Sequence, residues 1–240
     1  MLDLIWLIPA LPLAGAVVNL FFPGPARPGR RLGKAAGWLA TALVALGFVL
    51  AVAVLLDLLS LPAEERVHVA NFFDWISVGT LSVDVALRAD PLSITMALVV
   101  TGVGSLIHLY AVGYMEHDPR FGTFFAYLNL FVFFMLMLVL ADNYLLLYLG
   151  WEGVGLCSYL LIGFWYERPL ASSAAKKAFV TTRIGDAAML LGIVLIWVHL
   201  GTLDFGAVFG ERASDLTQGA ATAISLLLLA GAIGKSAQLP

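Results

Sequence analysis

Six largely apolar runs dominate this chain, and each is long enough to cross a bilayer. They are Leu4–Phe22, Ala35–Leu59, Pro91–Met115, Phe121–Ala141, Tyr144–Trp165 and Ala178–Leu200. A membrane-spanning helix needs about 20 largely apolar residues, because no water is available in the hydrocarbon to satisfy the backbone. A seventh run begins near Gly219 and stays apolar to Ala232, just before Lys235. Composition agrees with this reading: of 240 residues, 61% are hydrophobic and 12% charged, and the mean hydropathy is +0.96. An ordinary soluble domain carries roughly twice that charge. Such apolar content excludes a soluble enzyme and a disordered chain, and a net charge of −3 with 13 basic residues supplies no cationic field for nucleic acid. Cys157 is the single cysteine and builds neither a disulfide nor a zinc or iron–sulfur site alone.

The fold class expected is an all-α polytopic membrane protein of about seven helices, the last broken or truncated. The first run is no cleaved signal peptide, since it lacks a basic leader and is too long. The seventh run reads as the edge of a longer protein, of which this is the N-terminal portion.

The connections assign orientation. Arg27, Arg30, Arg31 and Lys34 crowd the first, and Arg168, Lys176 and Lys177 outnumber Glu167 in the fifth. Basic loops remain on the cytoplasmic side. The second connection (61–90) and the sixth (201–217) are acidic and belong on the opposite, periplasmic side, as does the N-terminus. The third, Glu116–Arg120, is slightly acidic where the rule expects a basic loop. Val67–Ala70 and Leu81–Leu87 alternate apolar and polar residues about Gly79, the pattern of a small β-hairpin. Leu203–Leu216 is expected to hold a short surface helix. Two segments follow: residues 1–115 with three helices and the hairpin, and 116–240 with helices four to seven.

Charges inside lipid are costly, by roughly 3 kcal/mol each on insertion scales, and they mark ion paths. Four qualify: Glu152, Arg183, Asp186 and Lys235. Glu152 lies ten residues after Asp142, about 15 Å into its helix. Gly150, Gly153 and Gly155 beside it strip away bulk, so another helix can approach. Lys176, Arg183 and Asp186 share a face of the sixth helix, and the last two can pair. Lys235 sits between Gly234 and Pro240, where a helix can unwind. The candidate proton carriers are Glu152 and Lys235, with Arg183 and Asp186 as a coupled pair. Lys176 and His108 are further candidates, although snorkelling explains Lys176 equally well and a structural role explains His108. Static ion pairs that only clamp helices are the alternative for all four charges. Gly231–Ser236 has the wrong spacing for a phosphate loop, and nothing else in the chain marks a cofactor or metal site.

The stretch from Trp151 to Trp165 (WEGVGLCSYLLIGFW) resembles the fifth helix of subunit L of bacterial respiratory complex I. So do Lys177–Asp186 (KAFVTTRIGD), Ala89–Ser93 (ADPLS) and Gly234–Pro240 (GKSAQLP) in their places. The resemblance implies the distal antiporter-like subunit of a proton-pumping NADH-quinone oxidoreductase, built on two inverted five-helix repeats with broken helices. It implies that the glutamate at 152 and the lysine at 235 form the pair governing proton movement, with Arg183 and Asp186 coupled beside them. It also implies a bacterial inner membrane and, as partners, other membrane-arm subunits, especially the neighbouring antiporter-like one. NADH, FMN, iron–sulfur clusters and quinone belong to partner subunits and none to this chain. Mrp-type cation/proton antiporter subunits share the Glu and Lys positions and remain an alternative, as does a non-transporting membrane scaffold.

Overall fold

The computed structural model describes residues 1–21 and 31–238. Arg27 and Arg30 of the first loop, and Leu239 and Pro240 of the last motif, lie outside them. After a single 3-10 turn at Leu2–Leu4, the elements are α1 (Leu7–Phe21), α2 (Arg31–Leu59), β1 (His68–Val78), β2 (Leu81–Ala89), α3 (Pro91–Tyr114), α4 (Phe121–Leu140), α5 (Tyr144–Ile162), α6 (Pro169–Leu200), α7 (Phe205–Phe209) and α8 (Gln218–Ser236). Among the described residues, seven helices are long and apolar enough to cross a membrane, and α7 is not one of them. The single sheet described is the two-stranded hairpin β1–β2, between α2 and α3.

Several element boundaries depart from the sequence reading: α2 starts at Arg31, β1 extends to Val78 and α8 to Ser236, and two further helix ends are instructive. The sixth helix begins at Pro169, so Lys176 and Lys177 are helical rather than part of a loop. Proline at the first helical position presets φ and needs no N–H partner, and hydropathy cannot register the polar turns that follow it. The fifth helix stops at Ile162, with Gly163 as its cap, instead of running to Trp165. Connection six does hold its short helix, α7, followed by a 3-10 turn at Ala213–Asp215.

The chain divides into two compact units: Met1–Ala70 with Leu87–Leu140, and Asn71–Ala86 with Ala141–Pro240. In the first, α1 packs on α2 and α4, and α2 on α3. Ile8, Ala40, Val44, Ala97, Phe125 and Leu136 are fully enclosed there. A Cβ at Gly37 would fall 2.8 Å from Phe121 Cζ, so glycine is what lets the α4 phenylalanines lie against α2. The division expected at residue 116 groups α4 with the later helices as the start of a repeat, while its packing partners are α1, α2 and α3. Repeat membership and packing are separate properties, and the division at residue 116 stays an expectation.

Helix α3 is started by its own sequence. Asp90 Oδ1 accepts from the Ser93 amide at 2.8 Å, Ser93 Oγ accepts from the Asp90 amide at 2.8 Å, and Arg88 Nε donates to Asp90 Oδ2 at 2.9 Å. Pro91 then occupies the first helical position. Burial pushes the Asp90 carboxyl up, but the Ser93 amide and the Arg88 guanidinium outweigh it and hold it below the ordinary carboxylate range. The carboxylate's contribution to stability is therefore complete above that ordinary range and is lost as pH falls through the lowered value. Asp90→Ala is expected to cost about 1 kcal/mol, read as an earlier thermal unfolding midpoint at neutral pH. The difference from wild type should shrink in acid.

In the second unit α6 runs along α8 and packs on α5. Met189, Ile193, Ile196, Leu200, Leu203, Val208 and Ile224 form its buried core with Val83. Asn143 fixes the acidic end of this unit. Its Oδ1 accepts from the Leu146 amide at 2.8 Å, capping α5, and its Nδ2 donates to the Asp84 carbonyl at 2.9 Å. It also bridges to Asp204 through the backbone. Gly201 (φ 69) closes α6 in the left-handed conformation, the usual glycine helix stop.

Candidate functional site

Three helices of the second unit carry the site: α5 brings Tyr148, Trp151, Glu152 and Gly155; α6 brings Phe179, Arg183 and Asp186; α8 brings Lys235. Helix α6 has 32 residues and is therefore about 48 Å long, well beyond the roughly 30 Å hydrocarbon thickness. Counted back from Leu200, a bilayer core reaches to about residue 180. Arg183 and Asp186 fall inside it, and Lys176 falls at its edge.

Glu152 is ion-paired with Arg183, its carboxylate on the guanidinium Nη1. That Nη1 also lies 3.8 Å from Asp186 Oδ2, and the guanidinium carbon sits 4.5 Å from the centre of the Phe179 ring. Asp186 is 1% exposed. Its Oδ1 accepts a 2.6 Å hydrogen bond from the Trp151 indole Nε1, whereas its Oδ2 receives none. Tyr148 donates to the main-chain carbonyl of Asp186 at 3.4 Å.

Among the described residues, Lys235 meets no carboxylate. Its Nζ donates to the main-chain carbonyl of Trp151 at 2.8 Å and lies 5.3 Å from the centre of the Trp151 ring. A helical carbonyl points towards the residue four positions on, which here is Gly155. A Cβ at Gly155 would come within 2.9 Å of Lys235 Nζ and 3.7 Å of an Arg183 nitrogen. The missing side chain is therefore what admits the ammonium to the α5 backbone. Gly155→Ala is expected to push the flexible lysine tip off the Trp151 carbonyl at little cost in stability, because only a side-chain end obstructs the new methyl. A thermal unfolding midpoint near that of wild type, with a lysine nitrogen more open to amine-reactive labelling, checks both halves.

The structure thus brings Glu152, Arg183, Asp186 and Lys235 together, with Glu152 on Arg183 rather than on Lys235. Lys176 is exposed, two turns before Arg183, and takes no part in the cluster. His108 lies in the first unit, buried, with Nδ1 2.7 Å from the Gly104 carbonyl. Trp151 and the precise use of Gly155 escaped sequence reasoning. The one available signal was an indole directly beside an intramembrane glutamate.

Two family models match this chain. Residues 75–125 match NADH-ubiquinone oxidoreductase (complex I), chain 5 N-terminus. Residues 141–240, which contain all four charges, match the NADH:quinone oxidoreductase/Mrp antiporter transmembrane family. The chain belongs to the antiporter-like membrane subunits. Among such proteins it is 50% identical to NADH-quinone oxidoreductase subunit L of Mycobacterium tuberculosis over 98% of this chain and 36% of that protein. It is 49% identical to the Escherichia coli subunit L over 73% of this chain and 29% of that protein. The chain thus spans about a third of the length of these curated relatives. The antiporter-like fold also appears in the Mrp complex of a Dietzia species, with a TM-score of 0.78 at 24% identity over 96% of this chain and 23% of that one.

Proposed function

We propose that this chain forms part of a proton-translocating, antiporter-like subunit of a NADH-quinone oxidoreductase, in which Glu152 and Lys235 act as a charge switch. The observation that supports the reading is the present partnering: Glu152 sits on Arg183 while Lys235 sits on an uncharged carbonyl. A buried ammonium keeps its proton most firmly beside a carboxylate and releases it most easily without one. With Glu152 swung to Lys235 the lysine would hold its proton; with Glu152 on Arg183 the proton would move on. Taking an equilibrium from almost wholly one form to almost wholly the other needs about 5.5 kcal/mol of differential interaction. Moving a charge by several ångströms in a low-dielectric site is an effect of that order.

The placement of the subunit at the distal end of the membrane arm, its bacterial inner-membrane location with a periplasmic N-terminus, and its contact with a neighbouring antiporter-like subunit all belong to this proposal. Redox cofactors would reside in partner subunits. Subunit L relatives at 49–50% identity favour this assembly over an independent Mrp-type antiporter, which would use the same chemistry with different partners. Co-purification with NADH-oxidising subunits separates the two. Proton pumping by a Lys235→Met variant in the assembled complex tests the switch, and wild-type pumping would sink it.

A further inference from the structure

We infer that Trp151 is a positioning residue that biases the charge switch, its indole N–H holding Asp186 away from Arg183 so that the guanidinium is left for Glu152. The inference rests on the Glu152/Lys235 reading and adds a residue to it. One side chain touches both ends of the cluster. Its Nε1 donates to Asp186 Oδ1 at 2.6 Å, while its main-chain carbonyl and ring face Lys235 Nζ. Asp186 is almost fully enclosed, and its second oxygen, Oδ2, has no hydrogen-bond donor. That oxygen stands 3.8 Å from Arg183 Nη1, the same nitrogen that carries Glu152. Two carboxylates therefore compete for one guanidinium nitrogen, and the indole is the donor that anchors one competitor through its other oxygen, Oδ1.

Without that donor Asp186 has a single strong partner within reach, and a short rotation of its carboxylate brings it there. Glu152 is then released, and Lys235 on α8 is the remaining cation of the cluster. The ionisable groups facing Asp186 are Arg183 on its own helix, Tyr148 and Glu152 on α5 and Lys235 on α8; Trp151 is the neutral donor among them. The indole thus favours the arrangement in which Glu152 and Lys235 are apart.

Trp151→Phe removes the donor, and Trp151→His keeps a ring N–H. Proton pumping per NADH oxidised is measured against pH in membranes containing the assembled complex, with Trp151→Leu as a second donor-free variant. A hydrogen bond to a charged group shifts such a balance by about tenfold. The alkaline limb of the pumping profile is therefore expected to move up by about one pH unit in the Phe and Leu variants. It should return towards wild type in the His variant. An unshifted profile in assembled Phe or Leu variants overturns the inference. So does an equal shift in all three, which would point to ring volume, or loss of assembly in both donor-free variants, which would make the indole a folding anchor. Wild-type pumping by Lys235→Met defeats the charge-switch reading itself. Loss of pumping in Lys235→Met with an unshifted Trp151→Phe defeats only the role of the indole.

Discussion

Lys235→Met, placed in the complete protein within its assembled complex, is expected to abolish proton pumping while leaving assembly near the wild-type level. Methionine matches the length of the lysine stem and carries no charge, so it removes the proton site without leaving a polar group stranded in hydrocarbon. What it forfeits structurally is one hydrogen bond, from Nζ to the Trp151 carbonyl, worth about 1.5–3 kcal/mol at most for a charged donor. That carbonyl remains free to serve the α5 helix. Proton uptake by sealed vesicles, normalised to NADH oxidation, measures the outcome. If the lysine were only a clamp, the variant would pump normally for each complex that assembles.

Glu152→Gln carries the second large effect, and its sign separates transport from scaffolding. The amide keeps the shape of the carboxylate and can still accept a hydrogen bond from Arg183, but it can no longer neutralise the guanidinium. Arg183 then turns to Asp186, already 3.8 Å away, so the cation keeps a counter-charge and the helices stay together. Breaking a fully buried ion pair costs about 3–5 kcal/mol, and this one, with side chains 22% and 35% exposed, costs less. Asp186 should absorb much of that cost, which is why assembly is expected to survive. With no mobile carboxylate left to visit Lys235, pumping per assembled complex should fall to near background. A pure scaffold would show the reverse pattern, with fewer complexes that each pump fully.

Much of this architecture was legible because lipid is a demanding solvent. Apolar runs of the right length had to become helices, and the hairpin announced itself through alternation around Gly79. The four charges within the apolar runs were conspicuous for the same reason. What could not be read was their pairing. Glu152, Arg183, Asp186 and Lys235 come from three helices, and helical periodicity fixes faces within one helix but not the azimuth of one helix against the next. Glu152 on Arg183 and Lys235 on a backbone carbonyl are outcomes of that azimuth. Trp151 was hidden for a related reason: its partner lies 35 residues away, and an indole beside a charge passes for ordinary core. The start of α6 at Pro169 was missed because a helix that emerges into a polar interface loses its hydropathy signal before it loses its hydrogen bonds.

Gly185 and Gly234 set a limit on how the site can move. A Cβ on Gly185 would lie 3.1 Å from the Ala230 carbonyl and 3.2 Å from Gly234 Cα, so the backbones of α6 and α8 touch directly beside the charges. Helices in such contact have no compressible side-chain layer between them, and displacement of one must drag the other. The backbones that carry Arg183 and Lys235 are consequently mounted on a common rigid beam, with little freedom to approach or part. In the proposed switch the travelling component is then the carboxylate on α5, shuttling between two fixed posts. On that proposal a perturbation arriving from elsewhere in an assembly would act on proton release by tilting α5, and a bulky residue at either glycine would alter the spacing of the posts themselves.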